Sequence, residues 1–139
     1  MANVKFDDLN VGDEIPALTT EPVSRHTLAL YCGASGDHNP IHVDTDFAKA
    51  SGFEDVFAHG MLSMGYLGRV LTDWVPQSQI RKLDGRFISI THIHDVVTCK
   101  GKVAEKKEVD GEQRVRLDIV AENQKGEGTV VGSAEIALD

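Results

Sequence analysis

The last third of the chain alternates apolar and polar positions, and the stretch before it repeats apolar residues at helical spacing. In Arg114 to Glu122, residues Val115, Leu117, Ile119 and Ala121 alternate with polar partners, the pattern of a strand with one buried face. Arg86 to Ile93 alternates well, Val96 to Val103 more loosely, and Thr129 to Leu138 closes the chain as a further strand. Val109-Asp110-Gly111-Glu112 is a hairpin turn, and Gln124 to Gly126 is another. Gly60 to Val75 is the longest helical segment. Its Leu62, Tyr66, Leu67, Val70, Leu71 and Trp74 recur at spacings of one, three and four, and Pro76 stops it. Gly65 and Gly68 weaken its helix propensity by roughly 1 kcal/mol each. That cost makes sense for a buried helix whose backbone a sheet must approach closely.

Upstream, Phe6 to Asp13 reads as an irregular lead-in and Glu14 to Thr20 as a strand. Ser24 is placed to cap a helix with Leu28, Leu30, Tyr31 and Ala34 on its apolar side, ending near Gly33 to Gly36. Asp44 or Thr45 caps a shorter helix with Phe47, Ala48 and Ala50 inward, and Gly52 ends it. The sum is an α+β chain: one long helix covering a face of an antiparallel sheet of about five strands. Such a sheet has edges to protect, which dimerisation supplies by joining two sheets.

Length and composition narrow the picture. The 139 residues suit a single domain over 1–139, with 41% hydrophobic and 26% charged residues, as in ordinary globular proteins. A net charge of -8 argues against nucleic acid, which needs clustered Lys and Arg. Arg81, Lys82 and Arg86 form the one basic cluster in the middle of the chain, a small patch that can hold a phosphate. Cys32 and Cys99 are isolated, match no metal pattern, and read as buried small hydrophobes. No apolar run approaches the roughly 20 residues of a membrane span. The start lacks the basic and apolar regions of a secretory signal, so the expected location is cytoplasmic.

The candidate chemistry lies in two runs. Gly36-Asp37-His38-Asn39-Pro40-Ile41-His42 places a carboxylate and an imidazole five residues apart in a stretch that Pro40 keeps out of regular structure. An Asp in a loop is commonly a turn former, and a lone His is commonly a surface residue. A rigid turn carrying both, flanked by Pro40-Ile41, fits an acid/base pair, since imidazole can take and return a proton near neutrality. Ala58-His59-Gly60-Met61-Leu62 follows. If Gly60 opens the long helix, its N–H is free to face a carbonyl oxygen gaining negative charge. His59 then either caps or packs that helix start. His92 and His94, with Asp95, imitate a metal site by same-face strand spacing but lack further ligands.

Together the two runs resemble the MaoC-like hydratase/dehydratase family, which includes (R)-specific enoyl-CoA hydratases and bacterial 3-hydroxyacyl-thioester dehydratases. Ser35-Gly36-Asp37-His38-Asn39-Pro40-Ile41-His42-Val43-Asp44 and Phe57-Ala58-His59-Gly60-Met61-Leu62 carry the resemblance, which is clear over residues 33–68. It implies a hot-dog fold, a long helix wrapped by an antiparallel sheet, that pairs as a homodimer or with a related hot-dog subunit. It implies Asp37 and His42 as the catalytic dyad and Gly60 as the carbonyl-polarising N–H. Asn39 matches a residue that orients the dyad or the thioester. His59, Met61, Arg81, Lys82 and Arg86 are the further candidates for substrate contact. The implied substrate is an acyl-CoA or acyl-carrier-protein thioester, with CoA or phosphopantetheine as carrier and no metal or other cofactor. Phe87-Ile88-Ser89-Ile90-Thr91-His92-Ile93-His94-Asp95 departs from the family, whose members commonly have a proline and a Gly-Asp there. A partner subunit that binds thioesters without catalysis and a hot-dog thioesterase are the alternatives. Gly60 to Leu71 contains no Asp or Glu for the thioesterase.

Overall fold

A computed structural model describes residues 3–139. Its frame is one five-stranded antiparallel sheet in the order β1-β3-β4-β5-β2. The strands are β1 (Leu18–Thr19), β2 (Ile80–Phe87), β3 (Thr98–Val109), β4 (Glu112–Glu122) and β5 (Gly128–Leu138). Helix α1 (Arg25–Ser35) and the short α2 (Thr45–Ala50) precede the central α3 (Gly60–Thr72). Helix α3 lies against the inner face of the sheet and touches all five strands. This is the hot-dog arrangement that the resemblance implied. No helix among the described residues is long and apolar enough to cross a membrane.

The core follows from the two periodicities. Leu67, Val70 and Leu71 of α3 are buried at helical spacing. Opposite them, Val115, Leu117, Ile119 and Ala121 of β4 are buried at every second position, as the pattern required. Cys99 and Val103 of β3 and Val130, Ala134 and Ile136 of β5 complete the layer. Cys32 and Cys99 are free and buried, and burial pushes the Cys99 thiol up to about 12. The β3–β4 hairpin turns at Asp110-Gly111, both with positive φ.

Several expectations are corrected. The first long strand is Ile80–Phe87, not Arg86 to Ile93. An irregularity between Ile80 and Lys82 interrupts the two-residue period, so the run RKLDGR does not read as a strand. After Phe87 the chain leaves the sheet. His94 adopts a positive φ of 71°, and its N–H donates to Val23 O in a turn that Asp95 closes by accepting the N–H of His92. His92 and His94 therefore do not share a strand face. The N-terminal strand shrinks to Leu18–Thr19 plus a bridge from Glu14 to Lys102.

Helix α1 starts at the Ser24 cap, whose hydroxyl accepts from Thr27 N, but its inward side is Leu28 and Cys32. Leu30 is 61% exposed. In α2 only Ala48 is buried, and Phe47 faces solvent. Helix α3 ends at Thr72, three residues before the expected end, although Trp74 and Val75 continue the buried face. The expected close approach at Gly65 and Gly68 is absent. A Cβ at Gly65 would meet nothing within 4 Å, and one at Gly68 would make an ordinary 3.9 Å contact with Leu83. The close approach lies in the sheet, where Gly85 pairs with Gly132. A Cβ on Gly132 would fall 2.0 Å from Asp84 O.

Candidate active site

The acid/base run is built outward from the end of α1. Gly36 terminates the helix at φ 77°, a left-handed conformation that glycine adopts without strain, and donates to Cys32 O. Asp37 follows, and its Oδ1 accepts the Asn39 N–H at 3.3 Å. The Asn39 side chain accepts from Ile41 N at 3.1 Å and caps a 3₁₀ turn over Pro40–His42. The run was expected to exclude regular structure. One turn forms because proline at its first position has no N–H to lose. The turn delivers a half-exposed carboxylate and a buried imidazole to the same place.

His42 is held from behind. Its Nδ1 lies 2.7 Å from Phe57 O, so the ring donates there and leaves the Nε2 lone pair free. Nε2 stands 4.0 Å from Asp37 Oδ2. A water at about 2.8 Å from both would bridge them. Phe57 also meets the ring edge-on at 5.2 Å between centroids. No feature of the sequence foretold this grip, because it uses a backbone carbonyl fifteen residues away.

His59 and Gly60 form the second wall. His59 is the N-cap of α3 and makes no side-chain cap bond to the helix. Its ring is 1% exposed and stacks on His42 at 3.8 Å with 25° between planes. Nε2 donates to Asp37 O at 3.3 Å and lies 3.4 Å from Cys32 Sγ, while Nδ1 is buried without a partner among the described residues. Burial first, and then the neighbouring His42, lower its pKa below the ordinary histidine value. Gly60 is the first residue of α3, where backbone N–H groups have no intrahelical acceptor. The Phe87 ring covers it, and a Cβ there would lie 3.1 Å from two ring carbons.

Asp37, His42, Gly60 and Met61 meet in one cavity of about 310 Å³, whose remaining wall includes Ser63, Phe87, Ile90 and Thr91. Met61 is 57% exposed at this wall. Asn39 and His59 are not in the lining; they stand behind Asp37 and His42. The basic residues do not gather there either. Arg81 is tied to Glu112 at 2.7 Å, Lys82 pairs with Asp84 at 3.6 Å, and Arg86 lines a separate hollow. That hollow, about 580 Å³, is larger but shallow, and it sits over the Gly85–Gly132 pair away from the acid/base groups. Sequence reasoning missed Ser63, Phe87 and Thr91 as cavity wall, and it quoted Phe57 within the second motif without giving it a role.

Asp37, His42 and His59 bring donor atoms within 4.8 Å of one another. Their geometry fits a metal poorly. A metal lies near the plane of each imidazole that binds it, and the His42 and His59 planes are nearly parallel and stacked. The arrangement suits a water held between carboxylate and imidazole beside a helix N-terminus, which can move protons and stabilise an oxyanion.

Comparison with known proteins places the chain in a family. The family model of the MaoC like domain matches residues 9–125. An (R)-specific enoyl-CoA hydratase from Rhodospirillum rubrum is 34% identical over 108 residues, covering 73% of this chain and 74% of that protein. A 3-hydroxybutyryl-CoA dehydratase from Methylorubrum extorquens is 29% identical over 102 residues, covering 72% of this chain and 64% of that protein. The unliganded R-hydratase PhaJ1 from Pseudomonas aeruginosa superposes with a TM-score of 0.85 at 29% identity, covering 99% of this chain and 87% of that one. The chain belongs to the MaoC-like family of hydratases and dehydratases.

Proposed function

We propose that this protein catalyses the reversible hydration of trans-2-enoyl thioesters to (R)-3-hydroxyacyl thioesters, carried on CoA or phosphopantetheine. The observation that carries the reading is the 4.0 Å gap between Asp37 Oδ2 and His42 Nε2, open to the cavity that Gly60 lines. A water in that gap donates one proton toward each acceptor. As its oxygen bonds to C3, His42 Nε2 takes a proton, and the electrons of the double bond move onto the thioester oxygen. The free N–H at the start of α3 steadies that charge. C2 then receives a proton relayed through the dyad, so the net change is OH at C3 and H at C2. Dehydration uses the same groups in reverse. The thioester itself activates C3, so the step calls on no metal.

Asn39 supports the dyad by holding the turn, through its own N–H to Asp37 and its amide oxygen to Ile41 N. The free outer edge of β2 and the exposed Phe87 and Ile88 support pairing with a second hot-dog subunit, identical or related.

The test is hydration of crotonyl-CoA followed by loss of the enoyl absorbance. Asp37→Asn and His42→Ala are expected to lose about 10²–10⁴-fold in kcat. Normal turnover in both variants overturns the dyad. Release of free thiol from a saturated acyl-CoA would point to a thioesterase instead. Activity that appears only with a second subunit would point to the binding-partner reading.

A further inference from the structure

His59 sits where the three working parts of the site meet. Its ring lies flat against His42 at 3.8 Å. Its Nε2–H donates to the backbone carbonyl of Asp37 at 3.3 Å. Its own backbone is the N-cap of α3, so the next residue is Gly60. Tyr31, edge-on at 4.7 Å, and Cys32, at 3.4 Å from Nε2, close the far side from α1. Yet His59 is almost wholly buried and does not line the cavity. It is walled off from the cavity, and a capping role fails because its side chain makes no cap bond.

We propose that His59 is a positioning residue of the hydration site: a neutral imidazole that fixes the Asp37 backbone, the plane of the His42 ring and the first turn of α3 relative to one another. The proposal rests on the hydratase reading for its kinetic consequence, not for its structural one. The ring must stay neutral because His42 gains a proton in mid-reaction at stacking distance, and a second cation there would oppose it. Asp37, His42, Tyr31 and Cys32 are the titratable groups that face it. Burial keeps it uncharged, which agrees with its lowered pKa. A phenyl ring at this position would keep the stack but lose the bond to Asp37. An asparagine would keep a donor but lose the stack.

Two measurements test this. The first is kinetic, with His59→Phe, His59→Asn and His59→Ala on crotonyl-CoA. Expected is a fall in kcat of about tenfold or more for each single loss, largest for alanine, with KM changed by less than about twofold, because only the orientation of reacting groups is disturbed. A rise in KM at intact kcat would make His59 a substrate-binding group and overturn the proposal, as would unchanged kinetics in the alanine variant. The second needs no activity. Long-range ¹H–¹⁵N spectra of the wild-type imidazoles should show His59 neutral, with its proton on Nε2, as the pH falls below about 6.5, where an ordinary histidine protonates. Protonation of His59 at that ordinary value overturns the proposal. If the wild type hydrates no enoyl thioester, the hydratase reading fails, and the spectra still decide whether His59 is the neutral link. They also decide it if the variants do not fold.

Discussion

Replacing Gly60 by alanine separates the backbone donor from the stability of the helix it begins. Gly60 has no positive φ, so alanine fits its backbone. The new Cβ would stand 3.1 Å from Phe87 Cδ1 and Cε1, about half an ångström closer than comfortable carbon contact. Phe87 is the last residue of β2 and 54% exposed, so its ring can retreat. The strain is offset by the better helix propensity of alanine, and the change in folding stability should stay within about 1 kcal/mol. The effect on catalysis is much larger. The methyl group would stand between Gly60 and the Phe87 ring and narrow the approach to the first α3 N–H, to which an oxyanion must come within about 2.7–3.1 Å. Losing such a donor costs on the order of 10²–10³ in kcat, or about 3–4 kcal/mol of barrier. Because the contact strengthens as charge moves onto the thioester oxygen, the loss should fall on kcat more than on KM. The assay is crotonyl-CoA hydration at saturating substrate, with thermal unfolding as the check on folding. A folded Gly60→Ala protein with kcat within twofold of wild type would refute the placement of the oxyanion at this helix start.

Three other outcomes follow from the packing and the charges. Gly132→Ala should destabilise the fold by about 3 kcal/mol or more, read by urea unfolding, because its Cβ meets backbone atoms of Asp84 and Gly85 that no rotamer change can move. Gly65→Ala should stabilise it by about 0.5–1 kcal/mol, a rise of about 4 °C or less in Tm, since the position is exposed and mid-helix with open space around it. Hydrogen bonds from Arg81, then Arg114, hold the Glu112 carboxylate down at about 2 from its ordinary 4.5. The unfolded chain therefore takes up that proton first, and the contribution of this group is complete above about 4.5 and lost as the pH falls toward 2. Glu112→Gln should flatten the fall of stability with acid in that window, as measured by urea unfolding at a series of pH values.

How much of this was legible in the sequence depends on the range of the interactions. Strand β4 was plain because its alternation is unbroken and faces one core. The Asp37–His42 turn was plain because it is local: a left-handed glycine, two side chains bonding the backbone two residues away, and a proline. The start of α3 at Gly60 was also local, though its end was not, since Trp74 and Val75 continue the buried face after the helix has stopped. The grip of Phe57 O on His42 and the cover of Phe87 over Gly60 join segments 15 and 27 positions apart. No periodicity records such contacts. The basic run at Arg81, Lys82 and Arg86 misled for a related reason. Nearness along a strand sends neighbouring side chains to different carboxylates and different faces.

The most informative misreading is the stretch after Phe87. Its alternating apolar residues were assigned to a strand, and a strand needs a core to bury them. In the fold Phe87, Ile88 and Ile90 remain substantially exposed, and the ladder ends at Phe87. Phe87, Ser89, Ile90 and Thr91 instead form a wall of the cavity that holds Asp37, His42 and Gly60. Apolar side chains kept out of the core and arranged around acid/base groups carry an energetic penalty that folding alone does not recover. A segment where local pattern and tertiary structure disagree is where function is expected to have set the sequence. In the proposed reaction Asp37, His42 and the helix start would act on the thioester, whereas this wall would shape the space for the acyl group. Differences in acyl preference between this protein and its relatives should therefore trace to residues 87–91 before any residue of the dyad.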